Sequence, residues 1–415
     1  MNGFTVAFFS MLGASLALRV WLDGREIAYA RAHCQAVPAP FQHQITVTEY
    51  QRMADYAVAK TRFGTVVMLI EAVLLIGWTV GGGLDLVDRA WRASGLTPLA
   101  VGVGVIVATI LLMQLLGLPL LAYRLFVIEQ RFGFNRVTPP LFASDAVKKA
   151  ALLIIVASPL AALAVWVMKN GGSLWWLYLW FLWMGFFVVK SWAYPMIVAP
   201  LFNRFTSLRD EKLERQIAGL LNRCGLLLDK IQVMDGSRRS AHGNAYFTGI
   251  GSGKRIVLLD TLIEVLDADE IKAVLAHEVG HFKRHHLHKF LASVAVVMLT
   301  GFALLAWLIG EPGFYGGLGI SRPSPQIALA LSMLLFPVVG VFVKPFASAV
   351  SRRMEFEADD FATSQADPQA LIRALSKLDQ RNARMLTSDP LYSAFHHSHP
   401  SLLAREERLR KVVSP

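Results

Sequence analysis

The sequence predicts an all-α polytopic membrane protein, seven transmembrane helices carrying one small α+β module, and three observations point there. Of 415 residues, 54% are hydrophobic and only 17% charged, with a mean hydropathy of +0.46, whereas soluble domains carry about 25% charged residues. Seven stretches approach the roughly 20 apolar residues that a helix needs to cross about 30 Å of hydrocarbon. Lysine and arginine then fall almost wholly on one side of those stretches. Disorder and a freely soluble binding module are excluded by the first observation. The net charge of +11 would suit a nucleic-acid partner only if the basic residues clustered on a soluble face; here they border apolar segments, so no nucleic acid is expected.

In chain order the apolar segments are 3–22, 64–84, 99–122, 148–168, 174–199, 290–310 and 326–348. A signal peptide would need a basic stretch ahead of its apolar core, and none precedes the first segment, which is read as an uncleaved helix. With the N-terminus outside, the outer segments hold only Arg89, Arg92, Lys169 and Arg322 of the 41 basic residues. The positive-inside rule therefore places segment 200–289 and the tail from 349 in the cytoplasm. The expected location is the inner or plasma membrane if the host is bacterial and the endoplasmic reticulum if it is eukaryotic. Cys34 and Cys224 cannot build a disulfide framework and are expected to be reduced. The chain divides into 1–200, a membrane domain with five helices, and 201–415, which includes the last two helices and the tail.

Segment 200–289 is the one long enough to fold outside the bilayer, and its patterning changes accordingly. Residues 210–225 have helical spacing with a glycine stop at Gly225. Lys230–Asp235, Ala245–Gly249 and Arg255–Leu259 read as short strands, with Gly249–Gly253 a turn. Asp267–Lys283 is an amphipathic helix with Asp267 or Asp269 as N-cap and Ile271, Val274 and Leu275 on its apolar face.

That helix contains His277-Glu278-Val279-Gly280-His281. Histidines four apart differ by about 40° in azimuth and share a face, so their imidazoles can converge on one tetrahedral Zn²⁺, with Glu278 beside the open position to take a proton from water. A bare H-E-x-x-H also arises by chance on solvated helices. A catalytic zinc needs a third protein ligand, and the last apolar segment delivers Ser351-Arg352-Arg353-Met354-Glu355-Phe356-Glu357-Ala358-Asp359-Asp360 to the same side. Glu355 is the leading candidate. Glu357 points about 160° away, while Asp359 shares the face of Glu355 and is placed to accept the second ring N–H of a ligand histidine. His285, His286 and His288 are read as a continuation of the same helix, forming a basic collar at the membrane surface. His396 and His397 are read as neighbours of His399. Glu71, Lys190 and Lys344 lie inside apolar segments, where charge faces a polar interior or snorkels.

The H-E-V-G-H run followed by S-R-R-x-E-F-E-A-D, with two apolar segments between them, resembles the integral-membrane zinc metalloproteases of the CAAX prenyl protease 1 family, the type I CAAX endopeptidases. Glu129-Gln130-Arg131-Phe132-Gly133-Phe134-Asn135, Asn244-Ala245-Tyr246-Phe247 and Ser398-His399-Pro400 extend the likeness over almost the whole chain. The resemblance implies one Zn²⁺ held by His277, His281 and Glu355, Glu278 as general base and Asp359 as the carboxylate behind the ligands. It implies an edge strand at Asn244, Ala245, Tyr246 and Phe247 on which an extended substrate lies by β-addition, and His399 as an oxyanion donor. An arginine follows that histidine in the family; strict spacing selects Arg405 and the local E-R-L pattern selects Arg408. The spans would enclose a water-filled chamber. The resemblance implies a peptide or protein substrate, prenylated or not, since proteins of this family remove the C-terminal tripeptide of a prenylated CAAX end; the lipid bilayer is the other expected partner. The rival readings are a heat-shock membrane protease, which has fewer helices ahead of its zinc module, and a catalytically silent metal-binding scaffold or transporter, for which Glu278 would have no use.

Overall fold

The computed structural model describes residues 2–226, 230–248 and 255–413. The expected turn at Gly249–Gly253 lies outside the described residues. Among these, seven helices are long and apolar enough to cross a bilayer: Gly3–His33, Val47–Trp78, Pro98–Glu129, Pro139–Asn170, Gly172–Phe202, His286–Leu308 and Pro325–Thr363. They are called spans one to seven.

Most spans run past the apolar windows that predict them, because a helix does not stop where hydrocarbon does. The second span begins at Val47, behind a capping box in which the Thr46 side chain accepts from the Glu49 amide and the Glu49 carboxylate accepts from the Thr46 amide. It ends at Trp78 and not near residue 84 as the apolar count suggests. Gly82 has φ +78°, and a Cβ on Gly81 or Gly83 would sit 2.8 Å from the carbonyl oxygen of Gly77, so the triple glycine makes a turn that side chains would not permit. The third span contains Pro119 and widens into a π-helical stretch at Arg124–Glu129, a usual response to a lost ladder hydrogen bond. A second π-helical stretch, Tyr194–Val198, includes Pro195 in the fifth span.

Span one packs on spans two and seven, span seven on span three, and spans three, four, five and six follow one another in order. In their most apolar windows, spans three and seven are 39% buried but spans five and six only 6%. Glu71, Lys190 and Lys344 are all exposed, and the Lys344 Nζ lies 3.0 Å from His396 Nδ1.

The extramembrane module is built on a four-stranded sheet. Strands β1 (Phe205–Ser207), β2 (Lys230–Met234), β3 (Ala245–Thr248) and β4 (Arg255–Leu259) lie in the order β1-β2-β4-β3. The β2–β4 pair is parallel and the outer pairs are antiparallel, so β3 is an edge strand. Strand β1 has no counterpart in the sequence reading; three residues carry too little alternation to stand out. Helix Glu211–Arg223 starts at Asp210, whose carboxylate accepts from the amides of Lys212 and Leu213. It stops before Gly225, at φ +62°. Its apolar face, Leu213, Ile217, Leu220 and Leu221, joins Ile256 and Leu258 of β4 and Leu275, Ala276 and Val279 in one buried core.

Helix Ala268–Lys283 opens with a second capping box, Asp267 with Glu270, which resolves the choice of N-cap in favour of Asp267. It does not continue into the next span. His285 adopts φ +55°, and a new helix begins at His286, so the expected helical continuation through His288 is corrected: a left-handed residue redirects the chain. Span seven runs unbroken from Pro325 to Thr363 through Pro337 and Pro345, crossing the bilayer and entering the module as a single rod.

Candidate active site

Two rods meet at the site. Helix Ala268–Lys283 and the end of span seven approach so closely that a Cβ on Gly280 would lie 2.9 Å from the Ala358 carbonyl oxygen and 3.0 Å from its Cα. Contact of backbone on backbone is available only where both residues are small. That approach brings the two histidines to Glu355: His277 Nε2 and His281 Nε2 are 3.1 Å apart, and each lies 3.4 Å from an oxygen of Glu355. One ligand atom from each residue falls within 4.8 Å of the others.

The donor set fits a metal ion. Two imidazoles and one carboxylate are the mixed nitrogen and oxygen donors of catalytic zinc sites, which leave a fourth position open. Glu355 Oε2 is buried and makes no hydrogen bond among the described residues, with only longer contacts to His277 Nε2 at 3.4 Å and Arg405 Nη1 at 3.9 Å; an under-satisfied carboxylate oxygen of this kind is costly, and a directly bound cation would relieve it.

Behind His277 the support is charged and buried. His277 Nδ1 is 2.8 Å from Asp359 Oδ1, which holds the proton on Nδ1 and turns the Nε2 lone pair toward Glu355. Asp359 is fully buried and accepts two bonds from Arg405, Nε to Oδ2 at 2.9 Å and Nη2 to Oδ1 at 2.6 Å. Arg405 is itself buried. Arg408 pairs instead with Asp360 on the exposed side, so of the two arginines the fold brings Arg405 to this cluster. Glu278 sits next to His277, and burial raises its carboxyl above the usual range.

His399 enters from the tail. Its Nε2 lies 3.3 Å from Glu355 Oε1 with the side chain half exposed. Burial, helped by Arg384 and Arg405 and opposed by Glu355, lowers its pKa, which favours a neutral ring with one N–H to donate. His397 holds a different place: Arg352 Nη1 donates to its carbonyl and to those of Ser393 and Ala394, closing the end of helix Pro390–His396.

Asn244 precedes β3, where its carbonyl accepts from the Leu259 amide at 3.1 Å. Ala245, Tyr246 and Phe247 pair with Leu258, Val257 and Ile256, and the opposite edge of β3 is unpaired among the described residues. β3 also packs against the histidine helix. Tyr246 lines a cleft of about 380 Å³ with Phe187, Lys190, Tyr194 and Pro195 of span five. The loop leading into β3 rests on the Glu129–Asn135 run. The Ala241 amide donates to the Phe134 carbonyl at 3.2 Å, His242 stacks on Phe134 at 4.6 Å, and Glu129 accepts from the Tyr56 hydroxyl at 2.8 Å.

Two residues escaped the sequence reading. Gly280 is one; its signal was a glycine inside an otherwise strong helix, opposite Ala358. His286 is the other. The sequence places it in a surface collar with His285 and His288, yet it is only 4% exposed and its Nδ1 lies 2.8 Å from His281 Nδ1. The turn at His285 explains the difference, since it points the next residue back into the site while His285 and His288 remain exposed.

Known proteins share this layout. Residues 26–204 match the family described as CAAX prenyl protease N-terminal, five membrane helices, and residues 207–413 match peptidase family M48. CAAX prenyl protease 1 of Saccharomyces cerevisiae is 31% identical, with 98% of this chain and 93% of that protein covered. CAAX prenyl protease 1 homolog of Dictyostelium discoideum is 32% identical over 91% of this chain and 90% of its own. The crystal structure of S. mikatae Ste24p superposes with a TM-score of 0.91 at 28% identity, covering 99% of each chain. The chain belongs to peptidase family M48 and is a multi-pass membrane metalloendopeptidase similar along nearly its whole length to CAAX prenyl protease 1.

Proposed function

We propose that the metal is a single Zn²⁺ held by His277, His281 and Glu355, and that the chain cleaves peptide bonds near the C-terminus of CAAX-ending proteins. The carrying observation is the convergence of three ligand atoms within 4.8 Å around a buried carboxylate oxygen that has no hydrogen-bond partner among the described residues. A bound zinc supplies Lewis-acid polarisation of the scissile carbonyl and activation of water.

The remaining chemistry belongs to the chain. Glu278 takes a proton from the attacking water and passes it to the departing amine. His399 donates its ring N–H to the developing oxyanion. Arg405 acts through Asp359 and Glu355, neutralising the buried carboxylates that hold His277 in place. Residues Asn244–Phe247 receive the substrate backbone along the free edge of β3. The names of the relatives support a substrate with a CAAX end, prenylated or not.

The proposed orientation puts the module and the tail in the cytoplasm, supported by the lysine and arginine asymmetry. The proposed division into 1–200 and 201–415 is supported by the two family matches.

Glu278→Gln tests the mechanism. The variant should fold and bind zinc stoichiometrically while cleavage of a farnesylated CAAX peptide falls by about 10²–10⁴-fold. Wild-type turnover in this variant would sink the proposal.

A further inference from the structure

His277 is supported by Asp359 and Arg405, whereas the outer ring nitrogen of His281 meets neither of them and lies against His286. We propose that His286, backed by Glu357, is the positioning pair for His281, fixing its tautomer and ring plane from the side opposite the metal centre. The inference rests on the reading of His281 as a metal ligand.

The chain of contacts is continuous. His281 Nδ1 lies 2.8 Å from His286 Nδ1, with the rings 73° apart. His286 Nε2 lies 3.2 Å from Glu357 Oε2. Glu357 is in turn tied to Lys289 Nζ at 2.7 Å and to Arg353 Nε at 3.3 Å. His286 is buried, so no bulk water competes for its ring nitrogens.

Proton placement follows from lone-pair counting. A neutral imidazole carries one N–H and one acceptor nitrogen. His281 Nε2 faces Glu355 and His277, and to bind a cation it must present its lone pair there, so the proton sits on Nδ1. That N–H donates to His286 Nδ1, which leaves the His286 proton on Nε2, aimed at the Glu357 carboxylate. The reverse arrangement fails twice. It would put a proton on His281 Nε2 inside the metal centre, and it would set a bare His286 Nε2 lone pair against a carboxylate oxygen at 3.2 Å.

The turn at His285 makes this possible, because a helix continuing from Lys283 would place residue 286 elsewhere on its surface. Glu357 has its use here too: pointing away from Glu355 on span seven, it reaches the back of the histidine pair. The two ligand histidines are thus held differently, His277 by a buried ion pair and His281 by a second imidazole.

The test is zinc affinity, measured by chelator competition on the purified full-length protein in detergent, with folding followed by thermal melting. His286→Ala should weaken zinc binding about 10–100-fold, the usual effect of losing such a partner, with the melting transition of the metal-free protein retained. His286→Asn offers an acceptor oxygen close to the position of the lost Nδ1 and should recover most of the affinity. Glu357→Ala, at a half-buried position less prone to misfold, should weaken binding by a smaller factor. Wild-type affinity in both His286→Ala and Glu357→Ala would overturn the pairing, as would Asn performing no better than Ala. His281→Ala separates the two levels. If it keeps stoichiometric zinc, the ligand assignment falls and the pairing with it; if it loses zinc while His286→Ala does not, only the pairing falls.

Discussion

The wall and the module are held together by different means. In spans five and six only 6% of the most apolar window is buried, and large side chains such as Phe181 and Val189 are mostly exposed. In the module, Leu220, Ile256, Leu258, Leu262, Ala273, Leu275, Ala276 and Val279 are all almost completely buried in one cluster. Lipid accommodates an apolar side chain as well as a neighbouring helix does, so a membrane wall can be thin. A constellation of titratable groups needs atoms fixed to fractions of an ångström, and only a close-packed surround supplies that. Span seven joins the two regimes, ending with Glu355, Asp359 and Glu357 inside the module.

Substitutions should therefore fall in a steep order. The largest loss is expected for Arg405→Ala, which strands the buried Asp359 carboxylate without its cation and should destabilise the fold by about 3–5 kcal/mol, read as a collapse of the melting transition. Arg408→Ala, breaking an exposed pair with Asp360, is the internal control and should cost about 0–1 kcal/mol; equal effects would mean the module is no more tightly held than its surface.

A pH-dependent term comes next. Burial pushes the Asp379 carboxyl up to about 6 against the pull of Arg384 and Arg405. A carboxyl raised in the folded state contributes stability that is fully present below the unfolded value of 3.8 and is lost as pH rises through about 6. At about 1.4 kcal/mol per unit, up to about 3 kcal/mol is at stake. Melting between pH 4 and 7 should show wild type losing stability relative to Asp379→Asn, and parallel profiles would remove Asp379 from the account.

Gly280→Val forces a side chain into the Ala358 backbone. Overpacking of this kind costs about 1–3 kcal/mol, and a shift of about 1 Å in the ligand helix can lower turnover by about 10²-fold. Unchanged turnover would show that the two rods need not touch. The smallest effect is expected for Phe181→Ala in span five, which is 59% exposed and should lie within about 0.5 kcal/mol of wild type. A loss of several kcal/mol there would erase the contrast between wall and module.

Much of this was legible beforehand, and the reason is range. Apolar length, the polarity of flanking segments, the four-residue spacing of His277 and His281 and the shared face of Glu355 and Asp359 are all properties of short windows, governed by helix geometry and by transfer from water. The start of the histidine helix was legible only to two candidate caps, Asp267 and Asp269, and the capping box with Glu270 selects Asp267. The approach of Ser398-His399-Pro400 was inferred from likeness and not from any local rule.

What the tertiary structure decided lies between segments far apart in the chain. Arg405 and Arg408 sit three apart on one helix, and their local sequence cannot say which turns toward Asp359. Strand β1 exists because β2 is there to pair with it. The extent of the second span depends on a glycine turn folding back on Gly77. His286 is a surface histidine by every local criterion, and one left-handed residue before it sends it to His281. The sequence by itself determined which side chains are competent for metal chemistry and which segments cross the membrane, because competence and hydropathy reside in single residues and short runs. Which of those side chains meet was left to the packing of span seven against Gly280, since contact between distant residues is settled by the shapes that must interlock.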